Sequence, residues 1–319
     1  RDDRGDYSMS TKPIRIAVVG LGKIARDQHL PKIAASADFE LAALVSSTAK
    51  EGAIPVYRTL EAALAADPNI DAVALCTPPQ VRLELCQTAS RYKCAILLEK
   101  PPAATPDEAE ALKRIADDSG CVIFASWHSR FAAKVAEATA WCESHPIRRG
   151  AIEWREDAMK WHPGQAWLWQ DGGFGVFDPG INALSILTQL YPLDWSVSEP
   201  SFDVPSNSGM PMAAKFRLVN KYAQVDVALN FGPTERETWA IHLEAASGET
   251  LDLIQGGASL SVNGSPAISG EDEEYTGLYR RFAELVATGQ SDFDTSPLEI
   301  VNAAFSSARV SKIAPISFL

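Results

Sequence analysis

The stretch "VVGLGKIA" (residues 18–25) decides the fold. It closes a short β-branched run, "IRIAVVG" (14–20), and opens a segment, "LGKIARDQHLPKIAAS" (21–36), in which Ile24, Leu30, Ile33 and Ala34 recur at helical spacing. Strand, glycine turn and helix in that order form the G-x-G-x-x-A fingerprint of a dinucleotide-binding turn. Gly20 permits the tight turn, Gly22 lets backbone approach a pyrophosphate, Ala25 allows close helix–strand packing, and the helix N-terminus offers free N–H groups and a positive dipole. Lys23 and Ile24 fill the turn. Outward from here, "FELAALVSS" (39–47) completes a βαβ unit. Further apolar runs follow at "DAVALCTPP" (71–79), "CAILLEKPP" (94–102) and "CVIFASWHS" (121–129), separated by helical stretches at 81–91 and 106–118. Continuous apolar strands alternating with amphipathic helices predict a doubly wound parallel sheet covered on both faces, an α/β domain.

From about residue 150 the texture changes. "AAKFRLV" (213–219) and "AQVDVALNF" (223–231) alternate polar with apolar residues, the pattern of antiparallel strands wetted on one face. We therefore expect a dinucleotide-binding domain over 9–130 and an α+β domain, built on an open and mostly antiparallel sheet, over 131–295. A final helix over 296–316 is expected to pack back on the first domain. Residues 1–8 are charged, aperiodic and upstream of Met9, and read as an added tail outside the fold.

Composition excludes several classes of function. Forty-one acidic against 29 basic residues give a formal charge of −12, a field that repels polyanions, so nucleic acid is not an expected partner. No apolar run reaches the roughly 20 residues a bilayer span needs, and no leader pattern opens the chain; a cytoplasmic protein without a membrane partner is expected. Five cysteines, odd in number and without paired spacing, predict neither disulfide nor metal site.

The candidate site residues cluster where such a sheet binds ligands, outside the carboxyl ends of its strands. The second strand ends in Ser46, Ser47 and Thr48, with Lys50 beyond, where NAD-specific folds carry an acid for the ribose hydroxyl. Hydroxyls without a repelling carboxylate tolerate a 2′-phosphate, so NADP is accepted alongside NAD, although turn residues at a strand end would look the same. Cys76, Thr77 and Pro78 end the third apolar run, and Glu99 and Lys100 end the next; all five are expected at the cofactor crevice. Beside a nicotinamide that becomes cationic on oxidation, the Lys100 ammonium could accept or relay a proton.

The second constellation is "WHPGQAWLWQDGGFGVFDPGINALSIL" (161–187). Asp178 sits at or near a helix N-cap with Pro179 at the first helical position, and Asn182 follows on the same face. Capping alone would explain the aspartate. Trp161, Trp167 and Trp169 offer flat apolar faces with N–H handles, suited to a sugar ring or equally to a core. Trp167 is also expected near the cofactor. His128 and His162 could bond substrate hydroxyls or be satisfied structural histidines.

Through "GLGKIA", "EKP" and the D-P-G-I-N segment the chain resembles the glucose–fructose oxidoreductase, inositol dehydrogenase and rhizopine-catabolism family. "GKIARDQHLPKI", "LLEKPP", "WHSR" and the segment at 161–187 are similar to its bacterial NAD(P)-dependent L-arabinose and D-galactose 1-dehydrogenases, and the resemblance spans residues 12–316. It implies a homo-oligomer, a dimer, in which the open sheet mediates assembly. It also implies that Lys100 and Asp178 meet at a monosaccharide. Many relatives carry a histidine base four residues after that acid; Asn182 stands there, which leaves Lys100 and Asp178 to supply the base, with Asn182 orienting the hydroxyl. The implied reaction is hydride transfer from C1 of an aldopyranose, L-arabinose or D-galactose, to NAD(P)+, giving the aldonolactone. Substrate contacts fall to Lys100, His128, Trp161, His162, Asp178, Asn182 and Trp239. The alternatives are another sugar, inositol or diol dehydrogenase of the family, or a non-catalytic NAD(P)-binding regulator, which would not need Lys100 and Asp178 together.

Overall fold

The structure, a computed structural model, describes residues 12–48 and 52–317. The expected tail at 1–8 and Lys50 lie outside the described residues. The chain divides into two compact units: residues up to Ser126 together with Tyr275–Asp294, and Trp127–Glu274 together with the segment from Thr295 onward.

The first unit is a six-stranded parallel sheet of β1 (Ile14–Val19), β2 (Phe39–Val45), β3 (Val56–Tyr57), β4 (Ala72–Leu75), β5 (Ala95–Glu99) and β6 (Ile123–Ser126), in the order β3-β2-β1-β4-β5-β6. The order reverses beside β1, which is the switch point where such sheets bind dinucleotides. Its central strands are buried on both sides, as their continuous apolar runs require: Ile16 to Val18, Ala72 to Leu75 and Ile96 to Leu98 have no solvent access. After Gly22 the chain is helical over residues 23–35, a wide-turned segment Ala25–His29 continuing into α1 (Leu30–Ala35). The crossover helices α2 (Leu60–Ala66), α3 (Arg82–Arg91) and α4 (Pro106–Ser119) follow. Thr59 and Thr105 cap α2 and α4 by accepting the N–H of Ala62 and Glu108, so both helices begin on a satisfied donor.

The second unit opens with α5 (Val135–Ser144), β7 (Ile147–Arg155), the single turn α6 (Ala158–Trp161) and α7 (Phe177–Leu190). Then come β8 (Ser196–Pro205), β9 (Ala213–Val219), β10 (Gln224–Asn230), β11 (Thr238–Ala245), β12 (Thr250–Ile254), β13 (Ser259–Val262) and β14 (Ile268–Ser269). The sheet has nine strands in the order β14-β13-β12-β11-β7-β10-β9-β8-β15, the last being β15 (Arg309–Ile313). The expected alternation is present: Val225, Val227 and Leu229 of β10 are buried while Gln224 and Asp226 are exposed. Most pairings are antiparallel, but β7 and β10 run parallel at its centre, so both strands end at the same edge. α7 packs against β7, β10 and β11, closely enough that a Cβ at Gly180 would lie 2.6 Å from Leu229 Cδ1.

One expectation needs correcting, and one strand was not anticipated. The two-residue β3 is too short to show a period and is absent from the sequence reading. The late segment that belongs with the first unit is residues 275–294, carried by α8 (Glu274–Thr288), and not 296–316. Helix α9 (Ser296–Ser307) stops at Ser307 and packs on α7 and β8, and 309–313 is strand β15 paired with β8. Both helices carry an apolar stripe, and a stripe alone does not state which sheet it covers.

Candidate active site

At the switch point of the first unit, Gly20 has φ +87°, and a Cβ there would lie 2.9 Å from Thr77 Cγ2, so only glycine fits between the ends of β1 and β4. Gly22 has open space around it, and Ala25 is fully buried against the sheet. Thr77 Oγ1 is buried without a hydrogen-bond partner among the described residues, an acceptor and donor waiting beside the glycine turn. These features fit the expected dinucleotide. Gly20, Gly22, Ile24, Thr77 and Pro78 would line its pyrophosphate and ribose side, with Ser46 to Thr48 at the far end of β2. Lys23 is exposed and paired with Asp27, and Cys76 is partly exposed.

Lys100 follows β5 directly, and its bond to Pro101 is cis. The strand end is held by a network of charged groups. Glu99, only 4% exposed, accepts from Tyr275 Oη at 2.6 Å and from the Lys100 backbone N–H at 2.8 Å, and lies 3.1 Å from His29 Nε2. His29 Nδ1 is 2.7 Å from Tyr279 Oη. The buried Arg82 guanidinium donates to the carbonyls of Glu99, Pro101 and Thr77, with burial lowering its pKa to about 10. His29 is held well above its ordinary pKa: burial opposes the charge, but Cys76, Tyr279 and the hydrogen bonds to Cys76 and Glu99 outweigh it. Glu99 was expected at the cofactor; its carboxylate is instead turned into the fold, where it anchors the residue that carries the ammonium.

In the second unit the parallel strands β7 and β10 both end beside the start of α7. Val176 takes the cap position with no side-chain cap bond, so Asp178 is the second residue of the helix rather than its cap. Asp178 is 6% exposed, and its Oδ2 lies 3.6 Å from His162 Nε2. The same nitrogen lies 3.4 Å from Glu156 Oε1, whose carboxylate also accepts from Trp239 Nε1 at 3.1 Å. His162 Nδ1 is buried and has no hydrogen-bond partner among the described residues. From 177 to 188, Asn182 is the one residue that is not buried, one turn on from Asp178. Two carboxylates, an under-bonded imidazole and an open amide at one sheet edge can bind several hydroxyls and hold a proton.

Residues 14–126 match the profile of an oxidoreductase family with an NAD-binding Rossmann fold. The chain is 40% identical over 296 residues to a galactose 1-dehydrogenase from Pseudomonas fluorescens, covering 92% of this chain and 95% of that protein. The chain belongs to the glucose–fructose oxidoreductase, inositol dehydrogenase and rhizopine-catabolism family. Among solved structures, a D-galactose-1-dehydrogenase protein from Rhizobium etli superposes with a TM-score of 0.92 at 42% identity, covering 97% of this chain and all of that one. A 3-ketoreductase from Actinomadura kijaniata, solved with NADP and TDP-benzene, shares the fold with a TM-score of 0.82 at 18% identity, covering 95% of this chain and all of that one. The protein is an NAD-binding oxidoreductase of this family.

For this family member, Glu156 links His162 with Trp239, Asp178 faces the same imidazole, and Trp161 stands against Trp239, ring centroids 6.2 Å apart. Trp161 is exposed and its Nε1 donates to Glu237. Trp167 is also exposed, on a short helical turn. Trp169 is not available to a sugar: it is buried and stacked on Phe231, so its aromatic face is spent on the core. His128 pairs through Nδ1 with Glu274. Sequence reasoning missed Glu156 and Glu237, which sit in no motif; the nearest signal was a pair of carboxylates flanking the ends of alternating strands. Among the described residues no cluster of metal ligands occurs, and no helix is long and apolar enough to cross a membrane.

Proposed function

We propose that the protein is an aldose 1-dehydrogenase acting on L-arabinose, D-galactose or both, with NADP or NAD. The observation that carries this reading is Asp178, a buried carboxylate in the first turn of α7 that stands beside the under-bonded His162. A bound nicotinamide would supply the acceptor for the hydride that leaves C1 of the sugar. The protein's part is to orient the ring and to accept the proton of the anomeric hydroxyl, so that C1 becomes the lactone carbonyl. Lys100 and Asp178 are the two candidates for that proton acceptor, and Asn182 orients the hydroxyl. His162, Glu156 and His128 bind ring hydroxyls, while Trp161 and Trp239 wall the apolar face. L-Arabinopyranose is the galactose ring without its exocyclic carbon, so a site built for one admits the other at modest cost. In this reading the first unit binds the nucleotide, the second binds sugar and forms a homodimer through its open sheet, and the protein works in the cytoplasm.

The test is NAD(P)H formation with a panel of aldoses and inositols. Aldose-dependent turnover is expected, and Lys100→Met is expected to abolish it while cofactor titration stays measurable. Turnover only with an inositol, no turnover with any polyol, or near-normal turnover in Lys100→Met would overturn the reading.

A further inference from the structure

The end of β2 has a second lining that comes from β3. Strand β3 pairs in parallel with the last residues of β2, Leu44 with Val56 and Val45 with Tyr57. The Ser46 N–H donates to the Tyr57 carbonyl at 2.9 Å, and the Gly20 N–H donates to the Val45 carbonyl at the same distance. The turn after β2 is thus tied on one side to the glycine fingerprint and on the other to the residue before Arg58. Arg58 emerges there, and its Nη1 donates to the Ser47 carbonyl. Ser46 Oγ accepts the Thr48 N–H at 3.2 Å and lies 3.5 Å from Thr48 Oγ1, which folds the hydroxyls into one compact turn. Ser47, Thr48 and Arg58 are all exposed.

We propose that Arg58 is the cation that receives the 2′-phosphate of NADP, together with the hydroxyls of Ser46, Ser47 and Thr48, and that it makes NADP the preferred dinucleotide. The adenosine ribose of a dinucleotide held at the Gly20 turn lies beyond the end of β2, where an acid selects NAD and an arginine accommodates the extra phosphate. Among the described residues of this corner, 44–48 and 52–60, none is acidic. Among the described residues no carboxylate pairs with Arg58. A guanidinium carries five N–H donors in a fixed fork; the bond to the Ser47 carbonyl orients it and leaves the others for phosphate oxygens. The inference needs only a dinucleotide in the first unit and does not rest on the sugar chemistry.

The experiment is calorimetric titration of the full chain, without sugar, with NADPH, NADH, 2′,5′-ADP and 5′-AMP. The wild type is expected to favour the two phosphorylated ligands, by a margin that shrinks as salt screens the exposed charge. Arg58→Ala is expected to weaken NADPH and 2′,5′-ADP by roughly tenfold or more, the range for a hydrogen bond to a charged group. NADH and 5′-AMP should bind as before, which shows that the turn is intact, and Arg58→Lys should fall between. Equal loss for NADPH and NADH would reduce Arg58 to a buttress of the loop and overturn the proposal. So would a wild type without preference, or a preference that survives Arg58→Ala and disappears in Lys50→Ala.

Discussion

His29 and His162 sit in different units, each beside a buried carboxylate, and they are built to opposite ends. His29 has no solvent access, and both ring nitrogens are engaged, one with Tyr279 and one with Glu99. His162 keeps 22% of its side chain exposed, stands at 3.4 and 3.6 Å from two carboxylates, distances long for a hydrogen bond, and leaves Nδ1 without a partner. A closed network has spent its bonding capacity on the fold, and removing one member leaves a buried charge uncompensated. An open one has capacity left for a ligand. The contrast separates residues whose bonding is spent within the fold from those with capacity left over.

The largest effect should come from the open network. Asp178→Asn keeps the shape and removes the proton acceptor, so kcat should fall by roughly 10²- to 10⁴-fold, as for loss of a general base, with the melting temperature little changed. A large drop in melting temperature at constant kcat would place Asp178 with His29 among the structural groups. A smaller effect is expected at His162. His162→Gln should raise KM for the sugar by about tenfold, or about 1.4 kcal/mol, and leave NADPH affinity unchanged; an unchanged KM would mean that the unpaired nitrogen meets no substrate.

The smallest effect should appear in the closed network, and as a pH dependence of stability. Folding raises the proton affinity of His29, so its contribution is complete below its ordinary value of 6.5 and is lost as pH rises through the raised value. Denaturant midpoints of the wild type should decline across that alkaline-side window, and His29→Gln should flatten the decline while lowering stability at acidic pH. If wild type and variant run parallel across the window, the imidazole is not charged in the folded protein.

The sheet of the first unit was legible because burial on both faces writes itself as continuous apolar runs; the runs at 14–20, 39–47, 71–79, 94–102 and 121–129 each contain a strand. The strands of the second unit were legible where one face is wet, as in β10. What escaped depends on partners distant in sequence. Glu156 becomes a site residue because β7 and β10 end together, 75 residues apart at Arg155 and Asn230. Arg58 gains its meaning from a two-residue strand without periodicity. Asp178 carried a helix-start signal, and the true cap, Val176, carries none of the residue types that mark one.

The return of α8 to the first unit has a practical consequence for recombining this protein. Tyr275, Tyr279 and Phe282 complete the core around His29, Glu99 and Phe39, so the nucleotide module is discontinuous in the gene. A fragment ending at Ser126 would expose that charged interior to water. Any exchange of cofactor modules between relatives has to transplant residues 275–294 along with the first 126.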